Sequence, residues 1–213
     1  IGHILIHELQ GEYIPKDNIL DNNGTFVVPR KHSTISQLIG YNLIDSATLG
    51  SLLKFTTVRN PFDSLVSLFI KKKHKYQPLL EDTDSWVYKV PGYVEDMIFC
   101  RDHSFPEWIE KKFGGSDSVR SYIKHLLISL GLYQNNASNP YFEGVDVILR
   151  YECLQEDFNK VLKKAGIDRC LEIPLVNRTG KKADDYRSYY TPRARTLVET
   201  VFESQLKKFN YKF

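Results

Sequence analysis

The chain has 213 residues, of which 42% are hydrophobic and 26% are charged. This length and composition suffice for one sizeable α/β core without a second domain. The formal net charge of +3 at pH 7 permits an anionic ligand but does not indicate nucleic acid, because nucleic-acid-binding proteins carry a strongly clustered basic face. No apolar run approaches the roughly 20 residues that cross a bilayer, and no signal-peptide pattern is visible.

The first predicted element is a helix, because apolar residues recur at helical spacing on one face: Ile1, Ile4, Leu5 and Leu9. Residues 10–23 are polar and contain Gly, Asn and Asp, which predicts a loop. A short strand is predicted at 25–28, and the helix after it can be capped by Ser33 or Thr34.

His32 lies between that strand and that helix. Open α/β sheets place their sites at the carboxyl ends of strands, and a histidine titrates near neutrality and can accept a proton from a hydroxyl. We therefore take His32 as the candidate general base, with His7 and Glu8 on the first helix as reserves. The structural alternative is a histidine at the start of a helix or on the surface, without a chemical role.

The most informative segment is a predicted strand, turn and helix at 53–69. Residues 53–58 are rich in β-branched and aromatic side chains, which indicates a strand. Pro61 suits the first turn of a helix, and Asp63 its positive end. Arg59 at the strand's end and Ser67 eight residues later can put a guanidinium and a hydroxyl on one phosphate. The alternative is that Arg59 pairs with a carboxylate and that Ser67 caps the helix or packs.

Residues 71–75, with four lysines and a histidine, close this helix, and cations are favourable at its negative end. We favour that structural interpretation over a patch that binds an acidic acceptor. In the middle of the chain, 105–109 begins a short helix and 118–130 is amphipathic. In the same part of the chain we predict loops with aromatic residues that line an acceptor pocket or simply pack: Trp86, Tyr88, Tyr93 and Phe99.

Residues 58–69 resemble the 3′-phosphate-binding motif of sulfotransferases that use 3′-phosphoadenosine-5′-phosphosulfate (PAPS). That motif runs Val-Arg-Asn-Pro, then Asp-Arg, then Ser-x-Tyr or Ser-x-Phe, and Ser64 stands here where the family often has arginine. In that family the arginine and the later serine hold the 3′-phosphate of PAPS. The resemblance therefore implies that Arg59 and Ser67 are binding residues.

Two further segments resemble the same family in the same order along the chain. Residues 147–158 are similar to its Leu-Arg-Tyr-Glu-x-Leu strand and helix. In this segment we expect Arg150 to be buried against loop carbonyls and Tyr151 to lie in the core.

The second segment, 177–213, resembles the last third of the family. Its Gly-bearing basic loop is similar to the loop that closes over the 3′-phosphate. Arg178, Lys181 and Lys182 are therefore candidate nucleotide contacts, with exposed loop charges as the alternative.

The resemblance implies a single-domain α/β fold over residues 1–213, with a central, mainly parallel sheet flanked by helices and a helical insertion in the middle. This is the P-loop-like sulfotransferase fold. The family's 5′-phosphosulfate loop, with its lysine, lies between the first strand and the first helix. Since the chain opens in a predicted helix, we expect it to begin just after that loop.

The implied activity is transfer of a sulfuryl group from PAPS to a hydroxyl of a small molecule or carbohydrate, which releases adenosine 3′,5′-bisphosphate and needs no metal. Positioning and electrostatics should supply most of the acceleration. Two alternatives stay open. A nucleotide kinase would need a Gly-Lys-Ser/Thr loop and a magnesium-holding Asp, and neither is clear. A non-catalytic protein that binds anions or glycans is the other, and no oligomeric state is predicted.

The cysteines are odd in number and show no paired spacing: Cys100, Cys153 and Cys170. We therefore expect free thiols rather than a disulfide or metal site. N-glycosylation triplets begin at Asn23, Asn136 and Asn177, but an Asn-rich chain also produces them by chance. We expect a cytoplasmic protein, with the Golgi lumen as the alternative if an anchor precedes this chain.

Overall fold

The structure, a computed structural model, describes residues 1–115, 140–174 and 185–213. Its helices in chain order are α1 (Gly2–His7), α2 (Ile35–Gly40), α3 (Ser46–Ser51), α4 (Pro61–Ile70), α5 (Tyr93–Asp102), α6 (Phe105–Phe113), α7 (Leu154–Lys164), α8 (Pro192–Val201) and α9 (Glu203–Phe209). Its strands are β1 (Ile19–Leu20), β2 (Phe26–Val28), β3 (Phe55–Val58) and β4 (Val147–Arg150). Short 3₁₀ or π-helical turns lie at Lys71–Lys75, Gln77–Glu81, Trp86–Lys89, Tyr151–Cys153 and Tyr186–Tyr189.

These residues divide into two compact units. Unit 1 contains residues 1–59 and 140–174, and unit 2 contains residues 60–115 and 185–213. Unit 1 holds the four strands, whereas the regular elements of unit 2 within the described ranges are helical. The predicted α/β class is therefore confirmed.

The sheet that matters for the site is the parallel pair β3 and β4. The two strands run in register up to their carboxyl ends, where Val58 lies opposite Arg150. At the other end the backbone N–H of Lys54 donates to Asp146 Oδ2 at 2.8 Å, and Lys54 Nζ lies 2.9 Å from the same oxygen. The strand predicted at 53–58 is confirmed, and its partner is the strand that the family resemblance indicated.

A second pair, β1 and β2, forms an antiparallel hairpin inside unit 1. β2 confirms the strand predicted at 25–28, but β1 lies within the residues predicted to be loop. The turn explains the difference, because Asp21 Oδ1 accepts from the backbone N–H groups of Asn23 and Thr25, each at 2.9 Å. This turn reverses the chain and lets Ile19 and Leu20 pair with β2, although the segment around them is polar.

The core of unit 1 lies where α1 and α7 meet the parallel sheet. Its buried members are Ile4, Leu149, Phe158, Val161 and Leu162. The remaining apolar residues of the first turns pack against them: Ile1, Leu5 and Leu9. The apolar face predicted for the first helix is thus confirmed.

The core of unit 2 is largely aromatic. Its buried members include Phe62, Leu65, Val66, Phe69, Trp108, Val198 and Phe202. The ring of Phe62 meets the edges of Tyr190 and Phe213, at centroid distances of 5.4 and 4.9 Å. Tyr190 also donates from its hydroxyl to the Phe62 carbonyl at 3.0 Å, so this polar tip is satisfied inside the core.

Helix α5 corrects the prediction of loops between Trp86 and Phe99. Its buried residues follow helical spacing: Tyr93, Asp96, Met97 and Cys100. Because one of these four is an aspartate, the apolar stripe is interrupted and hydrophobic periodicity did not indicate a helix. Helix α6 was predicted at 105–109 and is confirmed.

The basic run at 71–75 continues α4 as a single π-helical turn. Lys72 in this turn is fully buried, and its Nζ pairs with Asp96. The structural interpretation of the run is therefore supported for Lys72. The amphipathic stretch at 118–130 lies outside the described residues, and within them no helix is long and apolar enough to span a bilayer.

Candidate functional site

Arg59 is the first residue beyond β3, and its side chain is half-buried. The carbon of its guanidinium lies 4.3 Å from the centroid of the Tyr151 ring. Burial lowers the pKa of Arg59, while the neighbouring Tyr151 and Glu152 act in the opposite direction. An arginine begins from a pKa above about 12, so this one stays cationic at neutral pH.

Helix α4 begins two residues later, as predicted. Asn60 caps it, because its Oδ1 accepts from the backbone N–H of Phe62 at 3.0 Å. Pro61 is the first helical residue and Asp63 lies in the first turn, so the rigid ring and the carboxylate both suit the positive end. The cap is therefore Asn60 and not Ser67.

Ser67 lies on α4 and is 4% exposed. It is placed among apolar neighbours on its own helix, including Val66 and Ile70. Its role in binding stays a prediction.

His32 lies between β2 and α2, as predicted, and is exposed. The protein atoms around its ring still lower the pKa of His32 through desolvation, and the charge of Lys31 adds to that effect. The His32 carbonyl accepts from the Tyr141 hydroxyl at 2.8 Å. However, β2 belongs to the antiparallel hairpin and not to the parallel pair, so the argument from the edge of an open parallel sheet was wrong.

The two reserve candidates are exposed on and just after α1. The ring of His7 lies beside that of His3, with centroids 4.3 Å apart. The Glu8 carbonyl accepts from Arg169 at 2.6 Å, while its carboxylate remains at the surface. Their catalytic role is untested.

Two residues at the end of β4 differ from the sequence expectation. Arg150 is exposed rather than buried, and its Nε lies 3.7 Å from Asp157 Oδ2. Tyr151 is 48% exposed rather than in the core. Both expectations were wrong. Arg150 follows the buried Leu149 on β4, so the alternation of the strand turns it outward. Tyr151 lies beyond the strand, where the strand pattern no longer fixes the direction of a side chain. The contact between Tyr151 and Arg59 was missed for the same reason, and only the strand register would have revealed it.

The remaining nucleotide-binding candidates, Arg178, Lys181 and Lys182, lie outside the described residues. Within the described ranges no cluster of three or more His, Cys, Asp or Glu side chains could hold a metal. The three cysteines are free, with Cys100 buried and Cys170 exposed.

A half-buried cation at the end of a parallel strand, followed at once by a proline-started helix, is suited to an anion. The sulfotransferase family matches residues 14–212 of this chain, and the chain therefore belongs to that family. The resemblance inferred from the three sequence segments is thus confirmed.

Particular relatives are carbohydrate sulfotransferases. Carbohydrate sulfotransferase 10 of Xenopus laevis is 26% identical over 220 residues, which cover 94% of this chain and 57% of the relative. The Homo sapiens protein of the same name is 25% identical over 187 residues, covering 76% of this chain and 48% of the relative. The chain spans about half the length of these relatives. No solved structure matches it.

Proposed function

We propose that this protein transfers a sulfuryl group from PAPS to a hydroxyl of a carbohydrate. The observation that carries the proposal is the family match over residues 14–212, which contains the three segments that resemble PAPS-dependent enzymes except for the final residue, Phe213. The names of the relatives favour a carbohydrate over other small molecules as the acceptor. We further propose that residues 1–213 act as one sulfotransferase domain with the P-loop-like fold.

For the donor, we propose that Arg59 and Ser67 bind the 3′-phosphate and that Arg178, Lys181 and Lys182 add contacts from the later loop. The state of Arg59 supports this assignment, because a guanidinium that is partly removed from water interacts more strongly with a phosphate than an exposed one does. Its planar fork also matches phosphate oxygens in a bidentate manner.

In the proposed reaction the acceptor hydroxyl oxygen forms a bond to the sulfur of PAPS. The bond between that sulfur and the bridging oxygen breaks, and the bridging oxygen leaves with adenosine 3′,5′-bisphosphate. The hydroxyl proton goes to a base, for which His32 is our first candidate. Its lowered pKa increases the neutral fraction at pH 7, and only the neutral imidazole can accept a proton. His7 and Glu8 are the reserves.

We propose the Golgi lumen as the location, the alternative that the sequence left open, because the names of the relatives favour a carbohydrate acceptor. The cytoplasmic location that we predicted has no support in the comparisons. An exposed glycosylation triplet is consistent with the lumen, since Asn23 lies in the turn between β1 and β2. We propose no resident metal.

The first test measures nucleotide binding by calorimetry. We expect the wild-type chain to bind adenosine 3′,5′-bisphosphate more tightly than ATP or 5′-AMP, and Arg59→Met to abolish that preference. Arg150→Met is the matched control, because Arg150 ends the neighbouring strand but is exposed. Binding of ATP alone would instead favour the nucleotide kinase.

The second test measures turnover with radiolabelled PAPS and a panel of glycans and simple alcohols. We expect transfer of label to a glycan, and His32→Gln to lose turnover while it retains binding of adenosine 3′,5′-bisphosphate. His7→Gln is the matched control. If only His7→Gln lost turnover, His7 and not His32 would be the general base. Glycan binding without transfer by the wild-type chain would support the non-catalytic alternative.

A further inference from the structure

The register of the parallel sheet sets the neighbours of Arg59. Val58 and Arg150 are partners at the carboxyl ends of β3 and β4. The next residue on each strand is therefore delivered to the same edge of the sheet, and these two residues are Arg59 and Tyr151. Their side chains make contact, with the guanidinium carbon 4.3 Å from the ring centroid.

This contact restrains a cation without consuming its donors. A guanidinium over an aromatic face gains about 0.5–2 kcal/mol from the ring quadrupole. The ring neither neutralises the charge nor requires any of the five N–H groups, which stay directed within the guanidinium plane. An aromatic neighbour can therefore fix the orientation of an arginine that has to bind an anion.

The placement of Tyr151 favours such a role over simple packing. The residue is 48% exposed, so its ring removes less apolar surface from water than a core residue would. It begins the Tyr151–Cys153 turn that leads into α7, and this turn fixes its backbone. Glu152 in the same turn adds an attractive charge to Arg59.

We propose that Tyr151 is a positioning residue, which holds the Arg59 guanidinium in the orientation that binds the 3′-phosphate of the donor nucleotide. The inference rests on the proposed function, in which Arg59 contacts that phosphate. Its consequence is specific. Tyr151 determines how strongly the protein prefers a nucleotide with a 3′-phosphate over the same nucleotide without it.

The test measures dissociation constants for adenosine 3′,5′-bisphosphate and for 5′-AMP by calorimetry on the full chain. We expect Tyr151→Leu to weaken binding of the bisphosphate by about 2- to 30-fold, the range that a cation–π contact of this size corresponds to, and to leave binding of 5′-AMP unchanged. Tyr151→Phe keeps the ring and should keep the preference. In an Arg59→Met background, Tyr151→Leu should have no further effect on the bisphosphate.

If Tyr151→Leu weakened the binding of both nucleotides equally, the inference would be overturned, because the ring would then contact the nucleoside that both share. An unchanged preference would overturn it as well. Thermal unfolding of each variant checks the fold, and Tyr151→Gln, which suits a half-exposed site, replaces Tyr151→Leu if that variant is unstable. If the wild-type chain bound adenosine 3′,5′-bisphosphate no more tightly than 5′-AMP, the proposed function itself would be refuted. If the wild-type chain showed the preference and Tyr151→Leu retained it, only the role of Tyr151 would be refuted.

Discussion

Trp108 donates a hydrogen bond of 2.9 Å from its indole Nε1 to Oδ1 of Asp96 in the interior of unit 2. The other oxygen of that carboxylate accepts from Lys112 Nζ at 3.1 Å and from Lys72 Nζ. Two ammonium groups and one carboxylate are thus buried together, with side-chain exposures of 6% or less. The burial of two cations depends on this one acid, because an unpaired charge is costly in an apolar interior.

We expect Asp96→Asn to lower the free energy of unfolding by about 3–5 kcal/mol, the range for breaking a buried ion pair. The amide can still accept from Trp108, but it no longer neutralises either lysine. Urea denaturation measures the change. Asp102→Asn is the matched control on the same helix, because Asp102 is exposed and pairs with the equally exposed Arg101, and it should change stability little. A loss of less than about 1 kcal/mol in Asp96→Asn would contradict the prediction.

The same cluster predicts how stability depends on pH. Desolvation lowers the pKa of Lys112 to about 8, from an ordinary value of 10.5. Between these values the unfolded chain binds the proton and the folded chain releases it, so this group makes unfolding less favourable as pH rises. Its destabilising effect is fully present below pH 8, and the slope is at most about 1.4 kcal/mol per pH unit.

Cys100 limits the window for this measurement. Burial raises the pKa of the Cys100 thiol to about 12, so above pH 9 the unfolded chain loses that proton first, and the resulting loss of stability offsets the gain from Lys112. We therefore expect the difference in unfolding free energy between wild type and Lys112→Met to rise from pH 8 to pH 9. A flat difference over that interval would show that Lys112 titrates at its ordinary pKa.

Helix α2 depends on the residue that caps it. Gln37 donates from its backbone N–H to Thr34 Oγ1 at 3.2 Å, and the Thr34 backbone N–H donates to Gln37 Oε1 at 2.9 Å. Thr34→Ala removes one half of this reciprocal cap and should lower the free energy of unfolding by about 1 kcal/mol. Thr34→Ser retains the hydroxyl and should lose clearly less in the same urea titration. Equal losses would assign the effect to the methyl group.

Two glycines should respond to alanine in opposite directions. A Cβ on Gly11 would lie 2.6 Å from the Leu5 carbonyl oxygen, which already accepts from the Gly11 N–H at 2.7 Å. Gly11→Ala should therefore lower the free energy of unfolding by about 1–3 kcal/mol. Gly50 lies in α3, where an added Cβ would have no neighbouring atom within 4 Å, so Gly50→Ala should raise it by about 0.5–1 kcal/mol. Thermal unfolding of both variants compares them directly.

Local sequence patterns were sufficient to predict several secondary-structure elements and the protein family. The strand before Arg59, Pro61 at the helix start and a cap at Ser33 or Thr34 were all predicted, because each follows from backbone preferences within a few residues. The family followed from three segments in order, since a motif is a property of the chain itself. The candidate base had no comparable local signal, and the sheet argument for His32 failed when β2 paired with β1.

Only the tertiary structure decided what surrounds the charged residues. The pairing that starts at Lys54 and Asp146 joins positions 92 residues apart, and local preferences contain no information about such a partner. That pairing brought Tyr151 to Arg59 and turned Arg150 outward. The burial of Lys72 was likewise unpredictable, because a lysine run is ordinarily a solvated face. It becomes stable inside the protein only when another helix supplies Asp96, a condition that depends on packing and not on sequence neighbours.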